Sequence, residues 1–78
     1  MRILLFAGLA EAVGQSQVDL VQGASTQTAG DLEVRIREGY PDLAKSPFRI
    51  AVNRVYAEAN DPVVDGDEVA LIPPVSGG

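Results

Sequence analysis

The sequence contains no cysteine, no histidine and no tryptophan among its 78 residues. Without cysteine there are no disulfides, no thiol nucleophile and no thiolate metal ligand. Without histidine the chain lacks the commonest general base and the commonest transition-metal ligand. We therefore predict no metal site, and the chain is poorly equipped for catalysis on its own. The missing cysteine also fits a reducing compartment, and we expect a cytoplasmic protein.

Positive charge is also scarce, with 6 basic against 11 acidic residues and a net charge of −5. Free nucleic acid would be repelled, so a nucleic-acid partner is not expected. A protein with a basic docking surface is the better match for such a chain. No apolar run is long enough to span a membrane, and we expect no membrane partner. The short apolar start, which Glu11 interrupts early, predicts a buried first strand instead of a signal sequence.

The pattern of apolar residues predicts one small α+β domain over residues 1–72. Alternating or apolar runs predict strands at residues 2–7, 17–21, 49–53 and 68–72, while residues 54–58 either extend the third strand or pair with it. Residues 9–13 suit one or two helical turns, and residues 23–26 suit a turn. We therefore expect a mixed sheet of four or five strands with one main helix packed on one face.

The main helix should begin at Thr28, whose hydroxyl can cap the first free N–H groups, with Asp31 three residues later. Apolar residues that recur every three or four positions predict an apolar stripe along one side of this helix. Gly39 is expected to end the helix, and Pro41 to prevent its resumption. The members of the stripe are Ala29, Leu32, Ile36 and Tyr40.

One helix can cover only one face of the sheet, so the other face should expose the remaining apolar side chains. An apolar patch with a charged rim is typical of a protein interface. The alternative is that a loop or a second small core covers this face. By strand parity the patch holds Leu4, Phe6, Ala51, Ala70 and Ile72, and its rim holds Arg2, Arg49 and Glu68.

Residues 73–78, Pro-Pro-Val-Ser-Gly-Gly, predict an extended C-terminal tail. Proline favours an extended path, and glycine lets the backbone pass close to a partner's surface. We expect an arm that delivers the carboxyl group of Gly78 into a narrow site, although a frayed end is the simpler alternative.

Two further features of the chain are interpreted as structural. Asp65, Asp67 and Glu68 lack the spacing of a calcium loop, so the interpretation is a solvated turn. Asn53 is interpreted as fixing a turn.

Three segments resemble a known family: residues 5–11 (LFAGLAE), residues 51–53 (AVN) and, most specifically, residues 61–78 (DPVVDGDEVALIPPVSGG). The family is the small subunit of molybdopterin synthase, a ubiquitin-like sulfur carrier with the β-grasp fold. The likeness spans the whole chain, and residues 14–48 match only in pattern. It implies the fold already predicted.

The resemblance also implies the chemistry of the tail. An adenylyltransferase of the ubiquitin-activating type would use ATP to adenylate the carboxylate of Gly78, and a sulfur donor protein would convert it to a thiocarboxylate. The large subunit would receive the tail and pass the sulfur to a cyclic pyranopterin, the precursor of the molybdenum cofactor. The chain would bind no cofactor, and two small and two large subunits would assemble. Pro73, Pro74, Val75, Ser76 and Gly77 would form the inserted arm.

The resemblance places partner docking at Phe6, Tyr56 and Ile72. Strand parity adds Leu4 and Ala70 to this predicted partner interface. Three alternatives stay open. The chain could carry sulfur to thiamin or to a tRNA base, it could be a ubiquitin-like modifier of protein lysines, or it could be a plain binding module without tail chemistry.

Overall fold

The computed structural model describes residues 1–20 and 27–74. Within them the chain forms seven strands and three helices. In chain order these are β1 (Arg2–Leu5), α1 (Gly8–Val13), β2 (Gln17–Asp19), β3 (Gln27–Thr28), α2 (Ala29–Gly39), α3 (Pro41–Ala44), β4 (Arg49–Val52), β5 (Val55–Tyr56), β6 (Pro62–Val63) and β7 (Val69–Ile72). The turn predicted at residues 23–26 lies outside the described residues.

Five of the strands form one mixed sheet in the order β2-β1-β7-β4-β5. Strands β1 and β7 pair in parallel, and the other pairs in this sheet are antiparallel. The predicted mixed sheet with a helix on one face is confirmed, and β5 pairs with β4 instead of extending it. Residues 6, 7, 20, 53 and 68, which were predicted as strand ends, lie outside the strands, and residue 21 lies outside the described residues.

The core lies between this sheet and helix α2. Ile3 and Leu5 of β1 and Val69 and Leu71 of β7 are buried on the helix side, as strand parity predicts. They join one apolar cluster with Ile50 of β4 and with the buried stripe of α2. Burial of each such side chain contributes about 2 kcal/mol. The stripe consists of Ala29, Leu32 and Ile36, with the half-buried Tyr40 packed against the cluster.

Helix α2 begins with the capping box that the sequence predicts. The backbone N–H of Asp31 donates to Oγ1 of Thr28 over 3.1 Å, and the N–H of Thr28 donates to Oδ2 of Asp31 over 3.2 Å. Two of the free N–H groups at the helix start are thereby satisfied. The helix ends at Gly39 as expected.

The segment after α2 departs from the prediction, because Pro41 opens a new helix, α3, and does not simply stop the old one. Proline is well suited to a first helical turn, where its missing N–H has no partner to lose. Arg37 of α2 then holds the end of α3. Its Nη1 donates to the carbonyl oxygens of Leu43, Ala44 and Ser46 over 3.0, 3.1 and 3.0 Å.

Strands β3 and β6 form a second, two-stranded antiparallel sheet that the sequence did not indicate. Two residues per strand are too few to display an alternating pattern. Across residues 1–20 and 27–74, the helices are all too short, or not apolar enough, to cross a lipid bilayer.

Candidate partner-docking surface

The sheet face opposite the helices carries a row of four side chains, one from each of four adjacent strands. Leu4 of β1 pairs with Ala70 of β7, Ala70 pairs with Ala51 of β4, and Ala51 pairs with Tyr56 of β5. Paired residues on neighbouring strands project from the same face of a sheet. The row therefore runs large, small, small, large, and the two alanines leave a trough between Leu4 and Tyr56.

The trough is a groove with a volume of about 510 Å³. Phe6 and Tyr56 are 49% and 48% exposed, so both aromatic rings are available to a partner. The expectation that Ala51 and Ala70 are exposed is wrong, because both are buried as the floor of the groove. The groove brings together all five residues predicted for the partner interface, which are Leu4, Phe6, Tyr56, Ala70 and Ile72.

The charged rim differs in part from the prediction. Glu68 lines the groove as expected, and the guanidinium carbon of Arg49 stands 4.1 Å from the centroid of the Tyr56 ring. Arg2 lines an adjoining depression of about 370 Å³ that shares Leu4 and Glu68 with the groove. Arg54, which sequence reasoning missed, lines the groove itself. Its position depends on a turn between β4 and β5, so strand parity could not find it.

A clasp of hydrogen bonds fixes that turn. Asn53 and Arg54 both have positive φ, at 52° and 69°. The backbone N–H of Asn53 donates to the carbonyl oxygen of Glu68 over 2.7 Å, and the N–H of Glu68 donates back to Asn53 Oδ1 over 3.0 Å. Asn53 Nδ2 also donates to Oδ1 of Asp67 over 3.1 Å. The interpretation of Asn53 as a turn-fixing residue is confirmed. The same turn places Nε of Arg54 3.5 Å from Oε2 of Glu68.

The carboxylate of Asp67 belongs to the same clasp. Its Oδ2 accepts the backbone N–H of Val64 over 2.9 Å, and its Oδ1 accepts the Asn53 amide. The Val64 bond first, and the Asn53 bond second, lower the pKa of Asp67 below its ordinary value, because both favour the charged form.

Across the described ranges, 1–20 and 27–74, no group of three acidic residues has the geometry to hold a metal ion.

The C-terminal segment leaves the sheet at one end of the groove. Ile72, the last residue of β7, pairs with Arg49 and lines the groove, and the half-buried Pro73 follows it. Pro74 is exposed. The remaining predicted tail residues, Val75, Ser76, Gly77 and Gly78, lie outside the described residues.

A family model described as the ThiS family matches residues 3–78. The chain belongs to the ThiS family. Two relatives are molybdopterin synthase sulfur carrier subunits. The one from Chlamydomonas reinhardtii is 36% identical, covering 100% of this chain and 98% of the relative. The one from Mycobacterium tuberculosis is 32% identical, covering 100% and 96%.

The crystal structure of SAMP1 from Haloferax volcanii is similar to this ThiS-family chain, with a TM-score of 0.82, 31% identity, and coverage of 99% of this chain and 97% of that one. The β-grasp fold is thereby confirmed, and so is the resemblance to molybdopterin synthase sulfur carriers. The residues matched by the family model, 3–78, include the tail and all the residues that line the groove.

Proposed function

We propose that this chain is the sulfur carrier subunit of molybdopterin synthase. One observation carries the proposal: over its full length the chain matches proteins of that name. The exposed groove at the base of the tail supports it. A carrier must be held while its terminus reacts. A docking surface next to the tail serves that need without any catalytic side chain in the carrier.

The proposed chemistry begins at the carboxylate of Gly78, which is ionised at pH 7 and a poor electrophile. The carboxylate oxygen attacks the α-phosphorus of ATP in an adenylyltransferase of the ubiquitin-activating type, and pyrophosphate leaves. A persulfide on a donor protein then attacks the acyl carbon and displaces AMP, which gives an acyl disulfide. A thiol cleaves the S–S bond of this acyl disulfide, leaving a thiocarboxylate on Gly78 and a disulfide on the donor. In the large subunit this sulfur passes to a cyclic pyranopterin, and water restores the carboxylate. Gly78 is thus a reacting group and not a catalytic residue.

The rest of the chain suits this division of labour. It has neither histidine nor cysteine, so acids, bases and phosphate-binding groups would come from the partners. The large subunit would cover the groove and receive residues 73–78 as an extended arm. Pro73 and Pro74 restrict the backbone, which reduces the entropy lost on insertion. A cytoplasmic location, and the absence of bound cofactor in this chain, stay predictions.

Intact mass spectrometry tests the proposal directly. The chain is incubated with the activating enzyme, ATP and a sulfur donor, and we expect a gain of about 16 Da as sulfur replaces oxygen. Gly78→Ala, or deletion of Gly78, should abolish the gain while the unfolding temperature stays unchanged, because the tail follows the last strand. A thiocarboxylate formed at normal yield on either variant would contradict the assignment.

A second candidate function is favoured by the likeness to SAMP1, since SAMP1 denotes a small archaeal modifier protein. A modifier would form an isopeptide bond between its terminal carbonyl and a lysine of another protein. Mass spectrometry of protein recovered from cells separates the two functions, because conjugates are larger adducts. Conversion of the pyranopterin by thiocarboxylated chain and large subunit would then distinguish this carrier from one that serves thiamin or tRNA.

A further inference from the structure

Arg49 is held at the end of the groove from which the tail departs. It begins β4 directly opposite Ile72, the last strand residue before residues 73–78. Its guanidinium lies over the ring of Tyr56, with the Cζ atom 4.1 Å from the centroid. Stacking on a tyrosine face orients the guanidinium plane and reduces the freedom that it would lose on binding. The cation is therefore prepositioned beside the apolar groove.

The Arg49 guanidinium forms no hydrogen bond with another residue within residues 1–20 and 27–74. A guanidinium carries five N–H donors and stays charged at any physiological pH. The ion pairs in those residues join Arg37 to Glu33 and Arg54 to Glu68, and neither involves Arg49. Among the described residues the two arginines therefore differ, because the Arg54 side chain is paired with an acidic residue whereas the Arg49 guanidinium is stacked on an aromatic ring.

We propose that Arg49 recognises a carboxylate of the protein partner at the entrance that receives the tail. The occupant of the groove would be a partner surface that places an apolar side chain between Phe6 and Tyr56 and an aspartate or glutamate opposite Arg49. Charge complementarity and the continuity of the groove with the tail support this choice. The chain's net charge of −5 favours a basic partner, but the charge beside the tail has the opposite sign. The identity of the partner rests on the proposed function.

Affinity for the large subunit of molybdopterin synthase tests the role of Arg49. Arg49→Gln keeps a polar side chain but removes the charge, and we expect about tenfold weaker binding, as for loss of a charge-assisted hydrogen bond. Arg49→Glu should weaken binding further through like-charge repulsion, and Arg49→Lys should fall between wild type and Arg49→Gln. Lys45→Gln is the matched control, because it removes the same charge next to α3, on the helix side of the sheet, and should leave the affinity unchanged.

A zero-length carbodiimide cross-link locates the carboxylate itself. Arg49→Lys, in complex with the large subunit, should give an amide bond between position 49 and an aspartate or glutamate of that subunit. Mass spectrometry of the digested product identifies both ends of the bond. Absence of any link from position 49, or equal affinity of Arg49→Gln and wild type, would overturn the inference.

The outcomes separate this inference from the proposed function. If the wild-type chain fails to bind the large subunit, the proposed function fails and the inference falls with it. If wild type binds and is charged with sulfur normally while Arg49→Gln binds equally well, only the inference fails. Sedimentation of the free chain covers the other occupant, since a dimer dissociated by Arg49→Glu would assign the surface to a second copy and overturn the proposal.

Discussion

Replacement of Arg37 by alanine should lower the free energy of unfolding far more than replacement of an arginine whose contacts are all at the surface. Nη1 of Arg37 faces the carbonyl oxygens of Leu43, Ala44 and Ser46. Nε pairs with Glu33 over 3.1 Å, and the guanidinium carbon lies 4.1 Å from the centroid of the Phe48 ring. One side chain thus ties α2 to α3 and to the segment that leads into β4.

The expected loss follows from these contacts. Nη1 carries two hydrogens, so its three contacts count as about two hydrogen bonds to a charged donor, each worth about 1.5 kcal/mol at the lower end of the usual range. The Arg37 side chain is 27% exposed, and water will partly replace these bonds after truncation. The Glu33 pair and the Phe48 stacking add about 1 kcal/mol together. We expect Arg37→Ala to lower the free energy of unfolding by about 2–3 kcal/mol.

Urea unfolding followed by circular dichroism measures this loss. A domain of this size is typically stable by about 4–12 kcal/mol, so the midpoint should shift clearly with an unchanged slope. Arg54→Ala is the matched control, because its side chain is 87% exposed and it loses only a 3.5 Å ion pair with Glu68. The control should lose no more than about 0.5 kcal/mol. If the two variants lose equal stability, the assignment of Arg37 as the anchor of α3 is refuted.

Three further predictions concern the groove and its clasp. Phe6→Asp or Ile72→Asp should greatly weaken binding of the large subunit, whereas Val34→Asp, at an exposed residue of α2, should not; calorimetric titration that gives equal affinities for all would exclude the groove. Because the pKa of Asp67 is lowered in the folded chain, its carboxylate takes up a proton at a higher pH in the unfolded chain than in the folded one. The contribution of the Asp67 carboxylate to stability is therefore present above pH 3.8 and is lost as pH falls through the folded pKa. Asp67→Asn should therefore be less stable than wild type at neutral pH, and the two should become equally stable in strong acid. A difference between their urea midpoints that stays constant from neutral pH to strong acid would contradict this. Asn53→Ala should lose about 2 kcal/mol and Asn53→Gly about 1 kcal/mol, since glycine relieves the positive φ but not the missing hydrogen bonds, and denaturant midpoints that rank alanine above glycine would count against the clasp.

The parts that sequence reasoning could predict are those encoded by local spacing. The start of α2 follows from Thr28 and Asp31, which are three residues apart and contact each other directly. The floor of the groove follows from parity, because alternate residues of a strand share a face wherever the strand lies in the sheet. Both signals survive small errors in the predicted ends of the elements.

The parts that were missed depend on contacts between distant residues. The clasp joins Asn53 to Asp67, and neither residue alone indicates the other. Arg54 enters the groove only because that clasp turns the chain. Pro41 was compatible with a stop or a start, and the carbonyl groups that Arg37 satisfies decide in favour of a start.

The row Leu4, Ala70, Ala51, Tyr56 has a consequence for mutagenesis. The depth of the groove comes from two side chains that are already alanine, so an alanine scan would pass over its centre without changing an atom there. Informative substitutions at this surface are therefore those that enlarge the side chain. Ala70→Leu would fill the trough from beneath while the other predicted interface residues, Leu4, Phe6, Tyr56 and Ile72, remained unchanged.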